Sequence, residues 1–266
     1  MQERYAPDLL ARFSMKDCKA VSTPLNLGCK LDSTQQPTSV KGVAEEWPYR
    51  SAIGSLMYLA TCTRPDLAAA VSELSKFSQN PGVAHWEGVK RVMRYLKGTV
   101  GEGLMYKRGA QVEVWGYSDS GHAGDVKTSR GRSGYVSLSV GAAISWRNSM
   151  MKVVNHSNCE SEYVGLSEAA NEAMHLSQLQ GELGIGKEGV LLDNESSLKL
   201  ATNPVFHQRS KHIHIKYHSL RDRAAEGLIE LCKVDTGLNA ADMFTKNVGV
   251  GVLKICKGFV GMVKSG

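Results

Sequence analysis

The stretch that most limits how this chain can fold runs from Val112 to Gly124, with the sequence VEVWGYSDSGHAG. Valines and aromatic residues alternate with small or polar residues up to Asp119, which predicts a β-strand that is buried on at least one face. A glycine-containing turn follows, so this strand ends by presenting a carboxylate. Burying a carboxylate is costly unless a cation meets it. The stretch therefore predicts a sheet with an acid and a cationic partner at one edge.

Helix-like patterns come before this strand, and strands alternate with helices after it. Apolar spacing predicts helices near residues 5–15, 51–60, 63–77 and 85–96, with a surface linker over 18–42. Strands are predicted at 104–107, 112–119, 134–140, 142–146, 189–193 and 228–234, and helices at 157–183, 195–201, 212–225 and from Asn239. This order predicts an α/β domain in which helices cover the faces of a mixed sheet.

Composition sets broad limits on the partners and the compartment. A hydrophobic content of 42% and a charged content of 22% are typical of a soluble globular protein. The net charge of +6 fits a polyanionic partner and fits ordinary solubility equally well. The six cysteines form no Cys-x-x-Cys pair, which favours free thiols in a reducing compartment. Without an apolar signal core or a run of bilayer length, we expect an intracellular protein of the cytoplasm or nucleus with no membrane partner.

Four acids occupy positions that a fold of this kind can bring together. Asp119 and Asp193 end apolar strands, Glu162 lies in the first turns of the long helix, and Asp242 opens the last helix. Carboxylates that are held close together repel one another and protonate unless divalent cations neutralise them. Hard oxygen ligands suit Mg²⁺ or Mn²⁺, and two such ions about 4 Å apart can clamp a phosphodiester. The pattern thus favours metal-dependent phosphodiester hydrolysis without a nucleophilic side chain.

Each of these acids also has a simpler interpretation. An aspartate at a strand end is commonly a turn or cap residue, and Asp242 could serve only the start of its helix. Asp125, Glu160 and Asp235 compete as ligands, and helical phase does not choose between Glu160 and Glu162.

Basic residues cluster near residues 207–218. The histidines there suggest a zinc site, although their spacing lacks partner cysteines or a matching carboxylate pair; they are His207, His212, His214 and His218. A basic edge beside a nucleic-acid strand fits better, and we predict substrate contacts from Arg209, Lys211, His212 and Lys216. The cations Lys90, Arg91, Arg94 and Lys97 fit either a solvated helix face or contacts with backbone phosphates.

Many short motifs follow one another along the chain, to about residue 248. A first group is Tyr49-Arg-Ser-Ala-Ile-Gly, Thr63-Arg-Pro-Asp, His85-Trp and Arg94-Tyr-Leu-Lys-Gly-Thr. A second group is Tyr117-Ser-Asp-Ser, Ser133-Gly-Tyr-Val, Ile144-Ser-Trp, Glu160-Ser-Glu-Tyr, Asp193-Asn, Asn203-Pro-Val-Phe-His, Lys211-His-Ile and Ala241-Asp-Met-Phe-Thr-Lys. In this order the motifs resemble the Pol polyprotein of copia-type (Ty1/copia) retrotransposons: the first group is similar to its stretch between polymerase and nuclease, and the second to its ribonuclease H domain. The flanks depart from the family, which usually has Asp-Trp in place of Gly121-His122.

The resemblance implies an architecture and a set of site residues. Residues 1–45 would end the reverse transcriptase, 46–110 would be a helical connector, 111–248 a ribonuclease H-like domain and 249–266 a tail. The domain would be α/β, with a mixed five-stranded sheet and helices on both faces. Asp119, Glu162, Asp193 and Asp242 would form the catalytic tetrad that binds two Mg²⁺ or Mn²⁺ ions. Glu162 is preferred to Glu160 because it directly precedes a tyrosine, as the catalytic glutamate of the family does.

The resemblance also implies an activity, the endonucleolytic hydrolysis of the RNA strand of RNA–DNA hybrids. The expected partners are the hybrid and the upstream reverse transcriptase polymerase domain of the full polyprotein. The Tyr-x-Asp-Asp motif of the polymerase is absent from this sequence, so we expect no DNA synthesis by this chain. The changed flanking motifs keep an alternative open: a catalytically inactive retrotransposon remnant, or a co-opted nucleic-acid-binding module.

Overall fold

The computed structural model describes residue 2 and residues 4–37, 47–110, 112–121, 129–152, 154, 158–185, 190–193, 219–232 and 236–264, with Cys159, Val190–Asp193 and Thr236 described by their backbone alone. By contact, the chain divides into two compact units. The first unit comprises Met1–Leu104, Lys246–Lys257 and Met262–Gly266, and the second comprises Met105–Thr245 and Gly258–Gly261. The predicted boundaries near residues 45, 110 and 248 stay predictions.

Up to Thr245, the described helices and strands follow one another in the order that the sequence predicts. The helix predicted at 195–201 lies outside the described residues. The helix Val250–Phe259 and the strand Met262–Lys264 were not predicted, since the sequence indicated only a tail there. The helices include α1 (Tyr5–Arg12), α2 (Tyr49–Cys62), α3 (Ala68–Ser75), α4 (Val83–Gly98), α5 (Asn158–Glu182), α6 (Asp242–Thr245) and α7 (Val250–Phe259). The strands include β1 (Glu102–Leu104), β2 (Val114–Gly121), β3 (Arg132–Ser139), β4 (Ala142–Met150), β5 (Val190–Asp193), β6 (Ile229–Cys232) and β7 (Met262–Lys264). Residues 219–225 are also helical. Across these ranges, every helix is too short or too polar to cross a lipid bilayer.

The core of the first unit is built from helices whose apolar residues recur at helical spacing. Leu56 of α2, Leu74 of α3 and Leu96 of α4 are completely buried. The sequence predicted a single helix from Thr63 to Phe77. Its first turn, Pro65–Leu67, is instead a 3-10 turn that leads into α3, with the proline at its start. A proline is well tolerated in a first turn because the N–H groups there have no intrahelical acceptor, so the missing N–H group costs no hydrogen bond.

The described residues after position 245 include a helix and a strand, most of which belong to the first unit. In α7, Leu253 and Cys256 are buried. Strand β7 pairs with β1 in an antiparallel two-stranded sheet, with Gly103 opposite Val263. The strand predicted at 104–107 therefore lies two residues earlier, since its position follows from a partner at the other end of the chain.

His85 links the turn before α4 to the loop near residue 32 through hydrogen bonds of its ring. It is fully buried, and its ring stacks on Phe77 with 3.9 Å between the ring centroids. The Gly82 N–H group donates to Nδ1 at 2.8 Å. The ring proton is therefore on Nε2, which lies 3.2 Å from the Asp32 carbonyl oxygen and donates to it. Burial lowers the pKa of His85 below its usual value of 6.5.

We expect the free energy of unfolding to fall as the pH is lowered below about 6.5. The unfolded chain protonates His85 near that pH, whereas the folded protein resists because Nδ1 is occupied as an acceptor. The contribution of His85 is therefore complete above pH 6.5 and is lost as the pH falls towards the lower folded pKa. Urea denaturation between pH 7.5 and 5 measures it. The wild type should lose more stability than His85→Gln across that range, and parallel losses would contradict the assignment.

The second unit contains a mixed five-stranded sheet in the order β4-β3-β2-β5-β6. Strands β4, β3 and β2 are antiparallel neighbours, whereas β5 is parallel to β2 and to β6. Helix α5 packs on one face, where Leu166, Ala170 and Ala173, which form an apolar stripe at helical spacing, join Val114 and Tyr135 in the core. The alternation of β2 thus places one of its faces against α5.

Helix α6 lies on the opposite face of the sheet from α5. A Cβ atom built at Gly165 of α5 would meet Ser120 and Ser133, whereas one built at Gly134 would meet Phe244 of α6. Because consecutive strand residues point to opposite faces, α5 and α6 cover different faces of β3. The predicted α/β, ribonuclease H-like fold class, with a five-stranded mixed sheet and helices on both faces, is confirmed.

Candidate active site

Strand β2 delivers Asp119 close to its C-terminal end, as the alternating sequence predicts. Asp119 is half-buried and is paired across the ladder with Gly134 of β3. Its Oδ2 atom accepts a hydrogen bond from the Thr245 hydroxyl, which lies at the end of α6. The candidate site is therefore formed where β2 meets α6.

Side-chain amides anchor the segment around α6 to the sheet. Asn239 Nδ2 donates to the Ser118 carbonyl oxygen at 2.9 Å, and its Oδ1 accepts from the Ala241 N–H group at 2.9 Å. Asn148 of β4 donates through Nδ2 to the Phe244 carbonyl oxygen. The segment is thereby bonded to β2 and to β4, which fixes its position over the end of the sheet.

Asp242 begins α6 and is brought next to Asp119. Its exposed fraction is 7%. Thr245 Oγ1 lies 3.3 Å from the Asp242 carbonyl oxygen, while the same hydroxyl donates to Asp119. Thr245 therefore bridges the carboxylate of Asp119 and the backbone of Asp242.

The other two predicted acids lie near the same end of β2. Parallel strand β5 pairs Asp193 with Tyr117, two residues before Asp119, so the backbone of Asp193 neighbours the site; its side chain lies outside the described part. In α5, a Cβ atom at Gly165 would lie 3.4 Å from the Asp119 carbonyl oxygen. Glu162 is half-buried one helical turn before Gly165, which puts it close to the end of β2.

The described acids can be compared with the ligands that a divalent metal ion requires. Where side chains are described, no group of three or more His, Cys, Asp or Glu residues is arranged to hold a metal ion. Thr245 links the Asp119 carboxylate to the backbone of Asp242, and carboxylate oxygens are the donors that Mg²⁺ and Mn²⁺ prefer. The donor chemistry therefore fits such an ion, and the complete set would need Glu162 and Asp193 as well.

Several predicted residues lie outside the described ranges. These are the substrate contacts Arg209, Lys211, His212 and Lys216, the histidines His207, His214 and His218, and the competing acids Asp125 and Asp235. Glu160 is described and is half-buried in the first turn of α5.

The basic residues of α4 have partners within the first unit. Arg91 donates to the Thr23 hydroxyl at 3.0 Å, and Arg94 donates to the Lys19 carbonyl oxygen at 2.7 Å. Lys90 forms an ion pair with Glu87. Arg91 and Arg94 thus have a role that neither interpretation of the sequence included, because both hold the loop near residues 19–23.

Sequence reasoning did not identify the residues that support the acids. Thr245, Asn148 and Asn239 are ordinary polar residues in the sequence, and their role follows from contacts between distant segments. The motif Ala241-Asp-Met-Phe-Thr-Lys included Thr245 and could have suggested it. A second polar layer also escaped prediction: Ser133 donates to Glu168 at 2.9 Å beneath α5.

Replacing Gly134 with alanine is expected to lower the free energy of unfolding by about 1–3 kcal/mol, the usual cost of overpacking. A Cβ atom at this position would lie 2.6 Å from the Cβ of Phe244, so α6 would have to move. Gly54→Ala is the control: nothing lies within 4 Å of its added Cβ, and alanine stabilises a helix by about 0.5–1 kcal/mol relative to glycine. Urea denaturation measures both variants, and a Gly134→Ala protein as stable as the wild type would contradict this packing.

The fold is ribonuclease H-like, and comparison with known proteins shows the family to which the chain belongs. The chain is 41% identical over 265 residues to the retrovirus-related Pol polyprotein from transposon TNT 1-94 of Nicotiana tabacum, a match that covers 98% of this chain and 20% of that protein. It is 36% identical over 267 residues to the corresponding polyprotein from transposon RE2 of Arabidopsis thaliana, covering 96% and 18%. The chain belongs to the retrovirus-related Pol polyproteins of copia-type transposons. It spans about a fifth of the length of these two relatives.

Three further comparisons do not change this assignment. A secreted RxLR effector protein of Plasmopara viticola is 47% identical over 129 residues, which cover 48% of this chain and 91% of that protein. Among solved structures, the N-terminal RNase H domain of a Mycobacterium tuberculosis protein superposes with a TM-score of 0.38 and 16% identity, over 55% of this chain and 96% of that one. No family model matches the chain. The fold assignment therefore rests on the strand order.

Proposed function

We propose that this chain hydrolyses the RNA strand of RNA–DNA hybrids, as an endonuclease that depends on two Mg²⁺ or Mn²⁺ ions. The observation that carries the proposal is the contact of Asp119 with α6, the helix that Asp242 opens, through the Thr245 hydroxyl. Membership of the Pol family adds support, because the motifs that surround both acids resemble those of the ribonuclease H domain of these polyproteins.

The acids would act as a set. Asp119, Glu162, Asp193 and Asp242 would hold the ions at the end of β2. When bound, the ions would supply an activated water and stabilise the leaving oxygen of the phosphodiester. The chain itself would orient the carboxylates: the ladder of β2 and β3 fixes the backbone of Asp119, and the hydrogen bond of Asn239 to β2 anchors the segment that carries Asp242.

The substrate would be gripped by side chains from the basic segment. Arg209, Lys211, His212 and Lys216 would contact the hybrid, and the net charge of +6 favours such a polyanion. Discrimination between RNA and DNA would require contacts with 2′-hydroxyl groups across the minor groove. In the full polyprotein, the upstream polymerase domain would deliver the hybrid to this site.

The direct test incubates the purified protein with labelled RNA–DNA hybrid, double-stranded RNA and double-stranded DNA, in Mg²⁺ and in EDTA. The proposal predicts that the wild type cleaves the RNA strand of the hybrid in Mg²⁺ and not in EDTA, and that Asp193→Asn does not cleave it. Equal cleavage by wild type and Asp193→Asn, or no cleavage by either, would contradict it. Salt-sensitive binding that persists in EDTA without cleavage would instead support a nucleic-acid-binding module.

A further inference from the structure

The side chain of Thr245 is held at both of its branches. Its hydroxyl donates to Asp119 Oδ2. Its methyl group faces β3, where a Cβ atom at Gly134 would lie 3.0 Å from Thr245 Cγ2. Because the two branches share one χ1 angle, packing against Gly134 directs the hydroxyl towards Asp119. Glycine at position 134 gives the methyl group its space.

The backbone that carries Thr245 is also fixed. Asn148 Nδ2 donates to the carbonyl oxygen of Phe244, the residue immediately before it. Arg132 donates to Asn148 Oδ1 at 2.6 Å, so the amide is oriented with its NH₂ group towards α6. Thr245 is thus supported by a chain of contacts from β3 and β4 that does not pass through Asp119.

A hydroxyl carries a single proton, and Thr245 has two acceptors within reach. Asp119 Oδ2 receives the hydrogen bond, and the Asp242 carbonyl oxygen lies 3.3 Å away in the same turn. A bond from a neutral donor to an ionised carboxylate is stronger than one between neutral groups. The hydroxyl therefore links the carboxylate of Asp119 to the turn that begins with Asp242.

We propose that Thr245 is a positioning residue that holds the Asp119 carboxylate at a fixed distance from Asp242, and so raises the affinity of the site for divalent cations. This inference rests on the function proposed above. It assigns a role to a residue that binds neither the ion nor the substrate. Hydrogen-bond partners of metal ligands typically contribute about 10–100-fold to metal affinity or activity.

The test measures Mn²⁺ binding by calorimetry without substrate, alongside the Mg²⁺ dependence of hybrid cleavage. Thr245→Val keeps the shape of the side chain and removes the hydroxyl. We expect it to weaken Mn²⁺ binding by about 10–100-fold and to raise the half-saturating Mg²⁺ concentration by a similar factor. The KM for the hybrid should stay within about twofold, because the substrate contacts lie elsewhere in the proposal.

Two further variants separate the hydroxyl from packing. Thr245→Ser and Thr245→Ala both lack the methyl group and differ only in the hydroxyl, so they remain informative if Thr245→Val unfolds. Serine should bind Mn²⁺ about 10–100-fold more tightly than alanine, at similar melting temperatures. Equal Mn²⁺ affinity in serine and alanine variants would overturn the role of Thr245, as would a wild type that binds no Mn²⁺. A wild type that binds Mn²⁺ but cuts no hybrid would overturn the nuclease function and leave the positioning role supported by the calorimetry.

Discussion

Asp119→Asn is expected to lower the rate of hybrid cleavage in Mg²⁺ by more than about 100-fold. Loss of a residue that only hydrogen-bonds to a metal ligand typically costs about 10–100-fold, and loss of a proposed metal ligand should cost more. Asparagine keeps an oxygen that accepts the Thr245 hydrogen bond, so the end of β2 should remain folded. Removing the charge leaves the site one carboxylate short for two divalent ions. The measurement is single-turnover cleavage of a labelled hybrid, together with the melting temperature.

Comparison variants make this result specific. Asp222→Asn changes an exposed acid of the same unit and should cut at the wild-type rate. Asp242→Asn should resemble Asp119→Asn, and the double variant should be little slower than either single variant, since residues that act as a unit are not additive. An Asp119→Asn protein that retains more than about a tenth of the wild-type rate would remove Asp119 from the metal site.

The second large effect concerns a buried ion pair in the first unit. Arg64 Nη2 lies 2.7 Å from Asp66 Oδ2, and the exposed fractions of the two side chains are 4% and 0%. Tyr95 donates to the same carboxylate at 2.7 Å, and Arg64 Nη1 donates to the Thr99 carbonyl oxygen at 2.9 Å. Burial acts to raise the pKa of Asp66, but the Arg64 charge and the hydrogen bonds that Arg64 and Tyr95 donate to the carboxylate outweigh it, so the pKa lies below its usual 3.8.

Arg64→Met is expected to lower the free energy of unfolding by about 3–5 kcal/mol, because it leaves the carboxylate of Asp66 buried without its counter-charge. The double variant Arg64→Met/Asp66→Asn removes that charge and keeps an acceptor for Tyr95, so it should regain most of the loss. Urea denaturation at pH 7 measures both. A single variant within about 1 kcal/mol of the wild type, or a double variant less stable than the single one, would contradict the assignment.

The fold was predictable where a local pattern decides it. The alternating pattern of β2 and the helical spacing of apolar residues in α5 each identify the face of the element that is buried. Because each element packs through a single face, this local pattern is enough to predict it. Strand β1 was misplaced because its pairing with β7 depends on residues at the other end of the sequence. Nothing local marks Asp66, near the start of the helix predicted at 63–77, as a core residue; its partners Arg64 and Tyr95 give it that role.

The candidate site was predictable only in part, for the same reason. Asp119 could be singled out because it ends a recognisable strand, and the resemblance to the Pol family added Glu162, Asp193 and Asp242. No local pattern indicates that Thr245 would reach Asp119 or that Asn148 would hold α6, since both contacts join segments far apart in sequence. The space at Gly134, which admits Phe244 and Thr245, becomes meaningful only once α6 lies over β3.

The central claim is that distant acids meet to hold a pair of divalent ions, and anomalous diffraction from crystals soaked in Mn²⁺ tests it most directly. Two peaks about 4 Å apart, bounded by the carboxylates of Asp119 and Asp242 with Glu162 and Asp193 completing the shell, are the predicted result. Crystals in which these four side chains point to separate places, with Mn²⁺ bound elsewhere or not at all, would contradict it.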